Sequence, residues 1–393
     1  MVAVACVGWC CYDAMRRKTV PIAHRCDHFR EALLAKNPTM RLCSAPPERA
    51  VSMGQIWDLF EFFQDVILDR DTHFVASNIV RTLTCPQKSS YAELAGPQMV
   101  EWFATHAWKQ PFGELATSLL RHAEREAELH TCSWRSINYW TACLSVNEWV
   151  ESEAQCNGDL RGSSVAYSAL ACPSCRGMAL VLDGSASAFR RSWCLLEVYF
   201  ASEVMQERQD FEGLAICTPA GVLQQGGTGI DLSVVIAKQL SKLSLEVAKA
   251  SAEDKAVVGD FVGHHLPGGA QILIRHVRHC VKESLDAAYA SFQVNYNQLV
   301  SSLDSIPESE IELMTRMRSP LGLLGRVRSC EFGGPRPQRC LTHRSSYSDM
   351  CLYTGVAGDP SDDSGGSATS SSKSGCVERA PKEVGGIMPY EIV

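Results

Sequence analysis

The stretch Arg191-Ser192-Trp193-Cys194-Leu195-Leu196-Glu197 follows the apolar run Met178-Ala179-Leu180-Val181-Leu182-Asp183. That run, bounded by Cys175-Arg176-Gly177 and by Gly184-Ser185-Ala186-Ser187, reads as a strand buried on both faces. From Ser192 to about Glu207 there is no Pro or Gly, so the segment reads as a helix of roughly four turns with Ser192 as its N-cap. A doubly buried strand feeding a helix is the repeating unit of a parallel sheet. On the helical wheel Glu197 falls among Trp193, Cys194, Phe200, Ala201 and Val204. A carboxylate on an apolar arc is costly unless it is paired, hydrogen-bonded or neutralised. Two readings stand. One is a buried ion pair with Arg190 or Arg191, or contact with N–H groups of the first turn. The other is a site carboxylate at the end of a strand, where open α/β sheets hold their ligands.

Strand and helix signals alternate on both sides of this pair, which implies five βα units. Upstream, the first strand is Val100-Glu101-Trp102-Phe103-Ala104-Thr105, and its helix carries Phe112, Leu115, Ala116, Leu119, Leu120 and Ala123 on one face. The second strand lies within 137–144, with a long loop to a helix near 163–171. Downstream, Gly213-Leu214-Ala215-Ile216-Cys217 is the fourth strand, with a helix over 231–243. Ser244-Leu245-Glu246-Val247-Ala248 is the fifth, with a helix over 253–264. The expected fold class is therefore α/β: a five-stranded, parallel, doubly wound, flavodoxin-like sheet with a flanking N-terminal helix, an extra C-terminal helix and a disordered tail.

The N-terminal helix is marked by Ile56, Leu59, Phe60, Phe63, Val66 and Ile67 between Met53 and Leu68, and 74–94 reads as a connector with one short strand. The C-terminal helix, over 271–303, has Ile272, Val277, Val281, Leu285, Ala288 and Phe292 near one side. The chain then divides into a poorly defined segment at 1–48, helix plus connector at 49–95, the α/β domain at 96–265, a helical extension at 266–330 and a tail at 331–393. The tail's Ser/Gly/Asp run cannot bury enough apolar surface to offset ordering entropy.

With 393 residues, 46% of them hydrophobic and 21% charged, the chain suits one globular domain with additions. The net charge of -7 and the absence of a long Lys/Arg block argue against nucleic acid as a partner. No run reaches the ~20 apolar residues that span a bilayer. Membrane attachment is expected only if Cys6, Cys10 and Cys11, beside Arg16-Arg17-Lys18, are acylated. Eighteen cysteines without repeated spacing or a secretion signal fit a reduced, cytoplasmic setting. Cys172-Pro173-Ser174-Cys175 is a lone CxxC lying before a strand, and His24-Arg25-Cys26-Asp27-His28 is too compact for zinc, so no metal site is expected. Gly221 to Thr228 nearly spells a phosphate loop, but Gly227 replaces the Lys that would meet the terminal phosphates.

Several motifs together resemble a TIR (Toll/interleukin-1 receptor/resistance protein) domain over about 96–265. Ser192-Trp193-Cys194-Leu195-Leu196-Glu197-Val198 is similar to that family's S-x-W-C-L-x-E-L with one residue deleted. Leu160-Arg161-Gly162-Ser163 is similar to the loop after its second strand, and Phe103-Ala104-Thr105 stands where the family has F-x-S. The first loop departs: His106-Ala107-Trp108-Lys109-Gln110-Pro111 replaces G-x-D-x-R. The resemblance implies Glu197 as the residue on which NAD cleavage depends, with no cofactor and NAD as substrate. It also implies signalling through self-association, with other signalling proteins as further partners. The expected site is catalytic Glu197 with Thr105, His106, Trp108 and Trp193 around the nucleotide. The alternatives are a non-catalytic interaction module and a domain that senses a nucleotide without cleaving it.

The same residues have ordinary readings. Trp108 can stack on a base or pack on the helix that follows it. His106 can move a proton or be a hydrogen-bonded structural histidine. Tyr139 and Trp140 point to opposite faces and default to core packing. The acidic loop from Val146 to Asp159 is expected to expose Trp149 as an association surface.

Overall fold

The computed structural model describes residues 20–150, 159–225, 230–245, 248 and 252–304. All lie in one of the two compact units of the chain, Met1–Asp304 with Gly385–Val393. The other unit, Ser305–Val384, lies outside the described residues, as do the tail at 331–393, the cysteines Cys6, Cys10 and Cys11, most of the acidic loop, and the end of the Gly-rich loop.

The fold is α/β, built on a six-stranded mixed sheet in the order β1-β3-β2-β4-β5-β6. The strands are β1 (Val51–Ser52), β2 (Trp102–His106), β3 (Asn138–Trp140), β4 (Gly177–Val181), β5 (Leu214–Thr218) and β6 (Gly221–Val222). The central four run parallel, and both edge strands are antiparallel. β2 and β4 are buried along their whole length, as expected of doubly covered parallel strands.

The expected fifth parallel strand is not there. Ser244, Leu245 and Ala248 lie in no strand, and 246–247 are outside the described residues. The physical reason is at the edge of β5. The chain turns back through Pro219 and Ala220, with Thr218 Oγ1 donating to the Gly221 carbonyl at 2.9 Å, and pairs Cys217 with Val222. The Gln224 amide then accepts from Ile216 N at 3.1 Å and donates to Leu214 O at 2.5 Å. These are ladder positions that a further parallel strand would need.

Eight helices carry the rest of the described core: α1 (Ile22–Lys36), α2 (Met53–Ile67), α3 (Phe112–His130), α4 (Val165–Leu170), α5 (Ser192–Glu207), α6 (Ile230–Ser241), α7 (Ala252–His264) and α8 (Gly269–Asp304). α2 starts at a capping box in which Ser52 and Gln55 exchange hydrogen bonds. It packs on α3. Trp102 meets His122 of α3, whereas Thr105, of opposite parity on β2, meets α5. These two helices therefore cover opposite faces of the sheet. α4, α7 and α8 pack on α5.

The connector at 74–94 is helical rather than stranded, with Thr72–Val75, Ala76–Val80 and Arg81–Thr84 in succession and Tyr91–Ala95 beyond. Asp71 caps the first of these turns at Phe74 N, and Val75, Ala76, Ile79 and Leu83 bury one face, a pattern diluted in sequence by Thr, Ser and Asn. Trp149 is half-buried instead of presented to solvent. Its Nε1 donates to Thr84 Oγ1 at 3.1 Å, and Arg81 and Lys88 lie over its ring at 4.7 and 3.7 Å. No helix among the described residues is long and apolar enough to cross a membrane.

Candidate functional site

The parallel strands run β3-β2-β4-β5, so the chain order reverses between β2 and β4. Outside the carboxyl ends of such a pair lies the crevice where open α/β sheets hold ligands. β2 ends there at Thr105 and His106, in register with Leu180 and Val181. After β4 the loop is shaped by Asp183, whose carboxylate accepts from Ser185 N at 3.0 Å and from Ser187 N at 2.8 Å. A short 3-10 turn, Ser187–Arg190, then delivers the chain to α5.

α5 is buried nearly all round, so Glu197 has little water to turn to. It is 6% exposed, and its apolar wheel neighbours are as buried as the sequence predicts. Thr105 Oγ1 donates to Glu197 Oε2 at 2.5 Å. Cys194, one turn earlier, lies 3.5 Å from the same hydroxyl and points its thiol at the His106 carbonyl, 3.4 Å away. Burial pushes the Glu197 carboxyl up to about 7, against the opposing pull of the Thr105 hydrogen bond and the Arg191 charge.

The ion-pair reading of Glu197 does not hold. Arg190 is exposed and donates to Ser185 Oγ at 3.1 Å. Arg191 is 8% exposed, and among the described residues it makes no ion pair or side-chain hydrogen bond. Its field nonetheless reaches Glu197, Cys194 and His106. Nor is Ser192 the cap. The helix begins at Ser192 with Arg191 in the cap position, and the Ser192 hydroxyl is buried without a partner.

His106 is 3% exposed, with both ring nitrogens unpartnered among the described residues. Desolvation, helped by Arg191, holds its pKa down to about 3, so the ring is neutral. The ring contacts of Trp108 include a stack on His106 at 6.4 Å and His73 at 6.2 Å. Trp193 is 4% exposed and sits one turn before Glu197 on the same side of α5. The structure thus joins Glu197 directly to Thr105, sets His106 beside them through Cys194, and places Trp108 on the histidine rather than on the carboxylate.

Two partners escaped the sequence reading. In the sequence Cys194 reads only as an apolar neighbour, and Arg191 only as an ion-pair candidate; the signal for Arg191 is its place directly before a helix that buries a carboxylate. Among the described residues, a three-donor group that could hold a cation lies elsewhere, at Glu126, His130 and Glu212, where Arg176 already bonds both carboxylates.

Fold and site define an α/β protein with a buried carboxylate at the carboxyl edge of a largely parallel sheet. No protein family, no curated protein and no solved structure matches the chain in comparisons with known proteins.

Proposed function

We propose that the chain is a TIR-like signalling and assembly domain whose Glu197 site hydrolyses the nicotinamide glycosidic bond of NAD. The observation that carries this reading is the carboxylate itself: buried, hydrogen-bonded to Thr105, free of an ion pair within 4 Å, and set at the strand-order reversal. In the reaction the bond from ribose C1′ to the nicotinamide nitrogen breaks, water adds to C1′, and a proton is released. Positive charge builds on the ribose as the bond breaks. An ionised Glu197 held beside it stabilises that charge in a site of low dielectric. Because the carboxyl titrates near about 7, the rate rises with pH through that value. Incubation of the purified chain with NAD, with free nicotinamide as the readout, tests it.

One observation favours a second reading, a non-catalytic interaction module. Glu197, Thr105, His106, Trp108 and Trp193 are all buried, so substrate entry requires the loops around α5 to open. A nucleotide sensor would bind NAD without releasing nicotinamide.

Self-association is part of the proposal, and α8 rather than Trp149 offers the surface for a second copy. Tyr289, Phe292, Tyr296 and Leu299 are 66%, 41%, 54% and 65% exposed and follow the alternating three- and four-residue spacing of a coiled-coil seam. Ala287 to Leu303 carries no charged residue, so two copies meet there without repulsion. Sedimentation over a concentration series should show reversible oligomers that Tyr289→Ser with Leu299→Ser abolishes; a strict monomer at all concentrations removes this part of the reading.

A further inference from the structure

We infer that the start of α5 is an anion subsite, formed by Arg191 and the Ser192 hydroxyl at the positive end of the helix, and that it takes the diphosphate of a dinucleotide. This rests on the reading of Glu197 as a ribose-facing carboxylate and extends it to the neighbouring part of the substrate. A helix of this length gathers partial positive charge at its N-terminus, where N–H groups have no acceptor within the helix. That feature is common to all helices. What is particular here is the side-chain equipment around it.

Arg191, in the cap position, is 8% exposed and has no carboxylate within ion-pair distance among the described residues. Long cationic side chains are seldom buried unless paired. The Ser192 hydroxyl, on the first helical residue and 2% exposed, is unpartnered. His106, across the strand end and within reach of the Arg191 field, is buried with two unpartnered nitrogens. Buried polar atoms without partners carry a desolvation cost that a bound ligand removes. These unpartnered atoms and the positive charge lie around the start of one helix, with His106 held against its first turn through Cys194, and the same helix carries the carboxylate suited to ribose hydroxyls. A diphosphate supplies the missing acceptors, and it follows the ribose in the substrate's own covalent order. An anion at a helix N-terminus with a guanidinium alongside is a strong, charge-assisted arrangement.

Inorganic pyrophosphate and ADP-ribose are the probes, measured by calorimetry on the full chain, with adenosine as the control lacking phosphate. Wild type should bind both phosphorylated probes. Arg191→Gln should weaken both by roughly 10- to 100-fold, the equivalent of one charge-assisted hydrogen bond or two, and Arg191→Lys should restore part of the loss. Ser192→Asp gives an independent arm: it provides the anion internally, so it should raise the melting temperature and abolish pyrophosphate binding. Pyrophosphate bound equally by wild type, Arg191→Gln and Ser192→Asp, or by none of them, overturns the subsite. The subsite and the hydrolase reading fail separately: pyrophosphate binding that depends on Arg191, without nicotinamide release, leaves the subsite standing. Nicotinamide release with an unchanged KM in Arg191→Gln leaves only the hydrolase.

Discussion

The two ends of the sheet each bury a histidine beside an arginine, and they treat them in opposite ways. At the amino end of β2, His122 Nδ1 lies 2.7 Å from the Tyr139 hydroxyl, which itself reaches the Leu119 carbonyl at 3.3 Å. Arg176 is bonded there to Glu126 at 2.9 Å and Glu212 at 2.5 Å and lies over the Trp102 ring. At the carboxyl end, His106 and Arg191 have no such partners among the described residues. Both histidines are held neutral, with pKa values down to about 3, so burial alone does not distinguish them. Satisfaction does. The amino end pairs its histidine and its arginine within the protein, as a structural network does, and leaves Trp102 Nε1 unpartnered beside them. The carboxyl end leaves donors and acceptors open at the place where α/β sheets bind ligands.

The largest effect should come from opening the closed end. Arg176→Met leaves the Glu126 carboxylate, only 5% exposed, without its main partner. Stranding a buried charge costs about 3 kcal/mol or more, so a large fall in melting temperature is expected. A shift near zero would mean that the amino end is no more a structural network than the other.

Glu197→Gln should do the reverse. The folded-state pKa of Glu197, about 7, lies above the ordinary value of 4.5. Its contribution to stability is therefore fully present below the unfolded value and is lost as pH rises through about 7. At pH near 8 the buried carboxylate costs about 3 kcal/mol, and an amide removes most of that. Chemical denaturation should show the variant more stable than wild type by about 1–3 kcal/mol above neutrality, with the gap closing toward pH 4.5. A variant destabilised at every pH would restore the ion-pair reading.

The histidines provide the smallest and most direct contrast. His122→Leu removes one of the two hydrogen bonds of the Tyr139 hydroxyl, which keeps the Leu119 carbonyl, and should cost about 1 kcal/mol, whereas His106→Leu removes a group with no hydrogen bond to lose and should cost roughly nothing. Equal losses in the two melts would erase the distinction between the ends.

Much of the fold was legible because burial on two faces writes itself into sequence: Met178 to Leu182 and the Trp102 to Thr105 strand are apolar along their length. The missing fifth strand was not, since Ser244 to Ala248 has strand composition and nothing local reveals that Gln224 already occupies the edge of β5. β1 is two residues long, too short for any periodicity, yet it closes the other edge against Tyr139 and Asn138. Glu197 stood out as a charge on an apolar arc. Its partner Thr105 lies 92 residues away and is marked in the sequence only through the resemblance of Phe103-Ala104-Thr105 to F-x-S; the hydrogen bond itself is not legible, because pairing across a sheet face depends on parity and register. Tyr139 read as core, and it is core, but its hydroxyl and His122 form a bond that spacing cannot show.

The central claim is that the open end of the sheet is chemical and that Glu197 does its work as a carboxylate. Nicotinamide released from NAD by wild type and by Glu197→Gln at pH 8, with a melt of each sample, tests this most directly. Wild type should release nicotinamide, and the variant, folded and no less stable, should be slower by about 100- to 1,000-fold, the loss expected when one well-placed charge is removed from the transition state. No nicotinamide from wild type, or equal release from both proteins, would contradict the account.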